Sequence, residues 1–249
     1  MNKFNLLDDG LIINKISKSF GKKLIVRDIS ISLQRGQIVG LLGPNGAGKT
    51  TTFYMITGMI KPFEGSILLD DLDITSLPMY KRALKGVGYL AQEASVFTNL
   101  TVEENIKLVL ETTDMTKEQQ ADKLEELLNE FSITKIRKSK AMILSGGERR
   151  RTEIARCLVT NPDFVLLDEP FAGIDPIAVE DIQKIIEKLK SKNIGVLITD
   201  HNVRETLTIT DRSYLLYNGQ ILKSGTTKDL IEDEEAKKLY LGTKFKMDY

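Results

Sequence analysis

Gly43-Pro44-Asn45-Gly46-Ala47-Gly48-Lys49-Thr50 is the stretch that decides how this chain folds. It continues the apolar strand Gln37–Leu42 and leads into Lys49–Gly58, which reads as a helix. Gly43, Gly46 and Gly48 allow backbone conformations and close approaches that side chains forbid, so successive N–H groups turn inward as an anion cradle. The helix that follows adds its positive end at the same point. In such a loop Lys49 reaches the β- and γ-phosphates of a nucleotide, and the Thr50 hydroxyl ligates Mg²⁺. A strand, a glycine loop and a helix in that order place the chain in the α/β class.

Working outward, Leu11–Ile16 and Ile29–Leu33 alternate apolar and polar residues as half-buried strands do. Gly65–Leu69 and Val87–Leu90 read as short strands, and Phe164–Leu167 and Gly195–Thr199 as buried strands separated by a helix, Ile177–Lys190. In Lys117–Phe131 the apolar residues Ala121, Leu124, Leu127, Leu128 and Phe131 have the spacing of one buried helix face. Tyr214–Tyr217, Asn218-Gly219 and Gln220–Lys223 read as a terminal hairpin on a type I′ turn. No repeat or flexible linker divides the chain, so one nucleotide-binding domain is expected, with a helical lobe inserted at about residues 95–160.

Composition narrows the classes of function. The 249 residues suffice for one sizeable core, and 35 basic against 35 acidic residues give no net charge to draw a nucleic-acid backbone. Cys157 is the only cysteine, which excludes an internal disulfide and suits a reducing cytosol. Met1–Asn5 is followed by Asp8 and Asp9, so no signal peptide is expected. The longest apolar runs, such as Ile38–Leu42, fall far short of the roughly 20 residues of a membrane helix. A soluble protein is expected, meeting a membrane only through partners.

Other segments carry chemistry at strand ends. Phe164–Glu169 is an apolar strand ending in two carboxylates: Asp168 is placed to hold Mg²⁺ through water, and Glu169 to act as general base for a water. The only histidine, His201, also ends a predicted strand, where α/β folds bind ligands, and reads as a contact to γ-phosphate and water. Gln92 follows Val87–Leu90 and could touch the metal or the water. Leu144-Ser145-Gly146-Gly147-Glu148 combines an N-cap serine with a glutamate three residues on, a capping box. In isolation it reads as a capped helix, with Ile154, Ala155, Leu158 and Val159 inward and Arg149, Arg150, Arg151 and Arg156 mostly on a solvated face. Two glycines behind the cap are unfavourable in a helix unless something comes close. A second phosphate cradle suggests that each chain supplies half of another chain's site.

The phosphate loop, Gln92, Leu144–Glu148, Val165–Glu169, Ala172-Gly173-Ile174-Asp175 and His201 occur in the order found in ATP-binding-cassette (ABC) ATPases, and the chain resembles that family over roughly residues 11–225. The resemblance implies a P-loop NTPase of the ABC type: a RecA-like core, an antiparallel β subdomain and an inserted helical subdomain. It implies a single ATP-binding domain over 11–235 with a tail at 236–249. Nucleotide contacts are implied for Phe20 (stacked on adenine), Gly43, Pro44, Asn45, Gly46, Ala47, Gly48, Lys49, Thr50, Thr51, Ser145, Gly146, Gly147, Glu148 and Asp175 (at the dimer seam). Thr50, Gln92 and Asp168 are implied at Mg²⁺, and Glu169, His201 and Gln92 in catalysis. Two cassettes would pack head to tail around two ATP molecules, Ser145 and Gly147 of one touching the γ-phosphate held by the other.

Within the family, Gly40–Met55, Gln92–Phe97, Leu144–Arg151, Asp168–Pro176, Val196–Thr206 and Tyr240-Leu241-Gly242 are similar to the lipopolysaccharide-transport ATPases of Gram-negative bacteria. That branch implies a homodimer on the cytoplasmic face of the inner membrane, joined to two transmembrane subunits that dock near Gln92 to Phe97. Ala91, Phe20 and Thr98 depart from the proline, tyrosine and arginine common there. A cassette of another transporter, such as the branched-chain amino-acid type, and a soluble ABC ATPase of cytosolic assembly, for example of iron–sulfur clusters, remain alternatives.

Overall fold

The computed structural model describes residues 9–242 and Phe245. The Met1–Asn5 start and the end of the 236–249 tail therefore lie outside the described residues.

Two sheets share the molecule. A four-stranded antiparallel sheet has the order β2-β1-β4-β5, from β1 (Leu11–Phe20), β2 (Lys23–Leu33), β4 (Glu64–Leu69) and β5 (Leu72–Asp73). A six-stranded sheet has the order β10-β9-β3-β8-β7-β6, from β3 (Ile38–Leu42), β6 (Val87–Leu90), β7 (Phe164–Asp168), β8 (Gly195–Thr199), β9 (Arg212–Tyr217) and β10 (Gln220–Gly225). In it β10 alone runs antiparallel to its neighbour. The carboxyl ends of β3, β6, β7, β8 and β9 therefore meet at one edge. That edge receives Gly43, Gln92, Asp168, Glu169 and His201.

The helices are α1 (Lys49–Thr57), α2 (Met79–Ala83), α3 (Val102–Leu110), α4 (Lys117–Glu130), α5 (Gly146–Cys157), α6 (Pro176–Ser191), α7 (Val203–Ile209), α8 (Thr227–Glu232) and α9 (Glu234–Ala236). Strands β3, β7 and β8 are buried at every position, as parallel strands covered on both faces must be. Their alternate residues feed two cores. Ile38, Val165, Leu167, Val196 and Ile198 pack with α3 to α6, while Val39, Leu41, Leu166 and Leu197 pack with Phe53 and Ile56 of α1 and with the antiparallel sheet. Among the described residues no helix is long and apolar enough to cross a membrane.

The strands β1 and β2 run longer than the alternation of 11–16 and 29–33 predicts. Lys15 and Asp28 adopt φ +48° and bulge the ladder, shifting which side chains face inward. The bulges are held: Ser30 Oγ accepts from Lys15 N–H (3.0 Å) and Ser17 Oγ from Asp28 N–H (3.0 Å). The β9–β10 hairpin turns at Asn218 (φ +49°) and Gly219 (φ +78°), both left-handed as a type I′ turn requires. It is not terminal. The chain continues through α8 and α9, and Leu230 and Ala236 pack on Leu42, Leu207 and Leu215.

Within 95–160, α3, α4 and α5 each open on a capping box, Thr101 with Glu104, Thr116 with Gln119, and Ser145 with Glu148. The buried Glu103 of α3 is met by Arg137 (2.8 Å), Lys138 and Lys107 (3.5 Å), and those cations hold its carboxyl down at about 2. On α4, Leu124, Leu127 and Leu128 are buried, whereas Ala121 is exposed, so the apolar face begins one turn later than the spacing suggested.

The far end of α1 is closed by one side chain. Arg82, 1% exposed, donates to the carbonyls of Met55 (2.8 Å), Ile56 (2.7 Å), Leu77 (2.8 Å) and Thr75 (2.9 Å). Its charge sits where the helix presents its negative end. Burial lowers this guanidinium to about 10, against the pull of Asp73. Arg82→Met leaves those carbonyls unpaired and is expected to cost about 3 kcal/mol of stability, read from the urea midpoint at unchanged slope.

Candidate functional site

The phosphate loop is fixed by contacts its glycines alone permit. A Cβ at Gly43 (φ +149°) would collide with the Leu216 carbonyl oxygen, and one at Gly48 (φ +104°) would press on Val26 Cγ2 at 3.1 Å. Gly46 (φ +79°) has open space, so conformation alone selects glycine there. Helix α1 begins without a side-chain cap on Gly48, which leaves its first amides to the loop's interior. Lys49 is buried, and its Nζ donates to the Gly43 (2.7 Å) and Pro44 (3.2 Å) carbonyls. Burial lowers its pKa, opposed by Glu169, Asp168 and Asp200. Ala47 is buried; Pro44 and Thr51 are half-buried; Asn45 and Thr50 are exposed at the loop surface.

The carboxylates sit opposite this cation. Asp168 ends β7 fully buried, and its carboxyl is pushed up to about 6 by burial first and by Glu169 second. Tyr89 on β6 donates its hydroxyl to Asp168 at 3.3 Å. Glu169 adopts φ +49°, a conformation a non-glycine residue takes only when its neighbours fix it. Its N–H donates to Thr199 (2.7 Å), and its carbonyl accepts from Ala172 N–H (3.1 Å) and Arg150 Nη2 (3.1 Å). One carboxylate oxygen, Oε2, accepts from Gln92 Nε2 at 2.8 Å and lies 3.3 Å from His201 Nδ1. The structure thus brings Glu169, Gln92 and His201 together, with Asp168 and Lys49 close enough to shape each other's charge.

Ser145–Glu148 packs elsewhere, against Gly173–Ala178. The capping box forms: Glu148 Oε2 accepts from Ser145 N–H (2.9 Å), and Ser145 Oγ accepts from Glu148 N–H (3.3 Å). Both glycines have neighbours within the chain. A Cβ on Gly147 would meet Ala178 Cβ at 2.8 Å, and one on Gly146 the Gly173 carbonyl at 3.1 Å. Asp175 is exposed and N-caps α6, accepting from Ala178 N–H at 3.0 Å. Phe20, 53% exposed at the end of β1, has the Lys18 ammonium 5.7 Å from its ring centroid.

One reading needs correction. Arg150 does not lie on a solvated face: it is 5% exposed, and Arg149, Arg151 and Arg156 are half-buried. The helical spacing carried the signal, since Arg150 precedes the buried Ile154 by one turn. Asp200 went unnoticed as well. It is buried beside His201 and accepts from Phe171 N–H (2.9 Å) and Asn202 N–H (2.8 Å), tying together the loops that follow β7 and β8. Its position next to the lone histidine at a strand end was the available clue.

A strand–glycine loop–helix unit facing a strand-end Asp-Glu pair defines a nucleotide-hydrolysing cassette. Residues 26–172 match the family model described as ABC transporter. The chain is 52% identical over 238 residues to the lipopolysaccharide export system ATP-binding protein LptB of Haemophilus influenzae, covering 95% of this chain and 99% of that one. It is 55% identical over 232 residues to a probable ABC transporter ATP-binding protein of Azorhizobium caulinodans, covering 93% and 83%. A solved ABC-transporter cassette in its ADP conformation superposes with a TM-score of 0.85 at 29% identity, covering 94% of this chain and 99% of that chain. This chain belongs to the ABC transporter ATP-binding family. It is an ATP-binding, ATP-hydrolysing transporter subunit with the ABC cassette fold.

Asp168 makes the stability of the fold sensitive to pH. With its native pKa at about 6, against about 3.9 for a free aspartate, the folded state binds the extra proton between those values. Stability of the nucleotide-free protein therefore falls as pH rises through that window. Asp168→Asn is expected to raise the nucleotide-free melting temperature at pH 7.5 and to lose that advantage near pH 4, measured by thermal unfolding across pH.

Proposed function

We propose that two copies of this chain close head to tail on two ATP molecules and use their hydrolysis to drive lipopolysaccharide extraction from the inner membrane. The convergence of Gln92 and His201 on one oxygen of Glu169 carries the catalytic part of this reading. The cargo is supported by the relatives named LptB, 50–52% identical over 95% of the chain.

In this reading the triphosphate lies along residues 43–51, its negative charge met by the loop amides, the α1 N-terminus and Lys49, which exchanges its contacts with Gly43 and Pro44 for phosphate oxygens. Adenine rests on the exposed ring of Phe20. Ser145, Gly146, Gly147 and Glu148 of the second copy bring the α5 N-terminus to the γ-phosphate, with Asp175 at the seam. Glu169 accepts a proton from the water that attacks the γ-phosphorus in line. Gln92 and His201 orient that water and the carboxylate, and ADP leaves with its oxygen carrying the bond's electrons.

Mg²⁺ fits the donors present. Thr50, Gln92 and Asp168 offer hard oxygens, few enough that phosphates and water complete the shell. Among the described residues no cluster of three or more His, Cys, Asp or Glu forms a separate cage. When bound, the ion neutralises phosphate charge.

Residues 11–235 act as one ATP-binding domain in this scheme, seated on the cytoplasmic face through two transmembrane subunits that dock at Gln92–Phe97. Phe97 suits that role. The residue is 51% exposed, while its backbone is pinned to the buried Asn105, whose Oδ1 accepts from Phe97 N–H at 2.8 Å and whose Nδ2 donates to Phe97 O at 3.1 Å.

Glu169→Gln is expected to accumulate an ATP-bound dimer by light scattering while turnover falls at least a hundredfold; rapid turnover would remove Glu169 from the base role. Ser145→Arg is expected to abolish hydrolysis while the monomer still binds a fluorescent ATP analogue, and loss of monomer binding would refute the shared site. Affinity purification from native membranes should recover two transmembrane subunits together with lipopolysaccharide. Recovery with amino-acid permease subunits instead would overturn the cargo.

A further inference from the structure

Arg150 is bonded in a way that a structural ion pair does not require. Its guanidinium has a buried carboxylate partner, Glu153 Oε2 at 3.2 Å, on the same helix. The same Nη1 that meets Glu153 also donates to the Ala91 carbonyl at 3.1 Å, directly before Gln92, and Nη2 donates to the Glu169 carbonyl at 3.1 Å, in a different loop. Glu153 extends the grip, because its Oε1 accepts from Ser95 N–H at 2.6 Å, and Arg156 Nη2 donates to Ser95 Oγ at 2.5 Å. The segment 91–95 is thus held at both ends by α5. Glu169 is held in its left-handed conformation by two backbone bonds and one side chain, and that side chain is Arg150.

We infer that Arg150 is a positioning residue: it fixes the backbone of Glu169 and of Ala91, the residue before Gln92, to helix α5, so that the base is aligned only when the helical lobe is correctly seated on the strand edge. The inference rests on Glu169 being the base. Its physical content is a lever. Ser145 caps the same helix whose second turn carries Arg150, so a rotation of the lobe that carries Ser145 toward a second copy also carries the guanidinium relative to the Glu169 carbonyl. Because Gln92 Nε2 touches Glu169 Oε2, a displacement of 91–95 by a docked partner reaches the carboxylate through the same joint. Arg150 touches neither phosphate nor water in this scheme, and it acts through Glu169.

The test is kinetic. Arg150→Met by itself would strand the buried Glu153 charge, so the variant measured is R150M/E153Q, with E153Q as its reference. Relative to that reference, kcat is expected to fall at least tenfold, KM for ATP to move less than twofold, and the ATP-bound dimer to persist longer. Arg150→Lys, which keeps the charge and reaches one carbonyl, is expected to recover part of kcat. In the Glu169→Gln background, adding R150M/E153Q should change residual single-turnover hydrolysis less than twofold, because a residue that acts through the base has nothing left to align. An additive loss in that background, an unchanged kcat, or a loss confined to KM would each overturn the inference. Rapid hydrolysis by Glu169→Gln alone would refute the base assignment itself, a separate result that does not depend on Arg150.

Discussion

The structure depends on how closely the phosphate loop is clamped between two pieces of the antiparallel framework. On one side the β9–β10 turn reaches over: Gly219 N–H donates to Ala47 O at 3.1 Å, and Gly43 lies against the Leu216 carbonyl. On the other side β2 passes under Gly48 through Val26 and receives the turn itself, with Arg27 N–H donating to Gly219 O at 2.8 Å. Gly43, Gly48 and Gly219, all at positive φ, sit in this clamp because a Cβ on any of them would press on the neighbouring strand. A nine-residue helix such as α1 is not stable alone in water. Here its start is set by the clamp, its side by the apolar core and its end by Arg82. A rigid, uncapped helix N-terminus aimed at the strand edge follows from those constraints.

That edge collects like charge, which is costly to hold together. Asp168 and Asp200 are buried near Glu169, and burial raises both carboxyls above the ordinary range. Lys49 is pulled the other way, its ammonium disfavoured by burial yet supported by the three acids. Fixed charges held in place before the ligand arrives are the condition under which electrostatics contribute most to phosphoryl transfer. A nucleotide bound together with a cation that offsets these carboxylates would therefore stabilise the fold as well as use it.

The sequence was most legible where burial leaves no choice. Strands β3, β7 and β8 are apolar throughout because both faces are covered, and their limits were read to within one or two residues. The site residues at strand ends were legible for the same reason, since parallel strands must deliver their carboxyl ends to one edge. Legibility failed where local geometry breaks a period: the bulges at Lys15 and Asp28 hid half of β1 and β2. Helix α3 was missed although Thr101 and Glu104 stand in the same relation as Ser145 and Glu148, and although Val102, Ile106 and Leu110 recur every four residues along its buried face. Arg150 was misjudged by residue type. An arginine is buried only where fixed acceptors converge, and those acceptors come from loops distant in sequence.

The glycines of Ser145-Gly146-Gly147 show how an expectation can rest on an incomplete reason. Their cost in a helix suggests close approach by a ligand, yet the close approach within the chain is by Ala178 to Gly147 and by the Gly173 carbonyl to Gly146. Packing of α5 against the start of α6 is sufficient to select glycine at 147. What packing does not require is the location of that contact: the Ser145 cap of α5 and the Asp175 cap of α6 lie side by side, so two helix N-termini open at one surface. Glu148 and Asp175 already place a carboxylate at each of these helix ends, so the two positive ends are met within the chain. The proposed contact with a phosphate held by a second copy therefore rests on the amides that helix ends present at this surface, rather than on uncompensated charge or on the glycines.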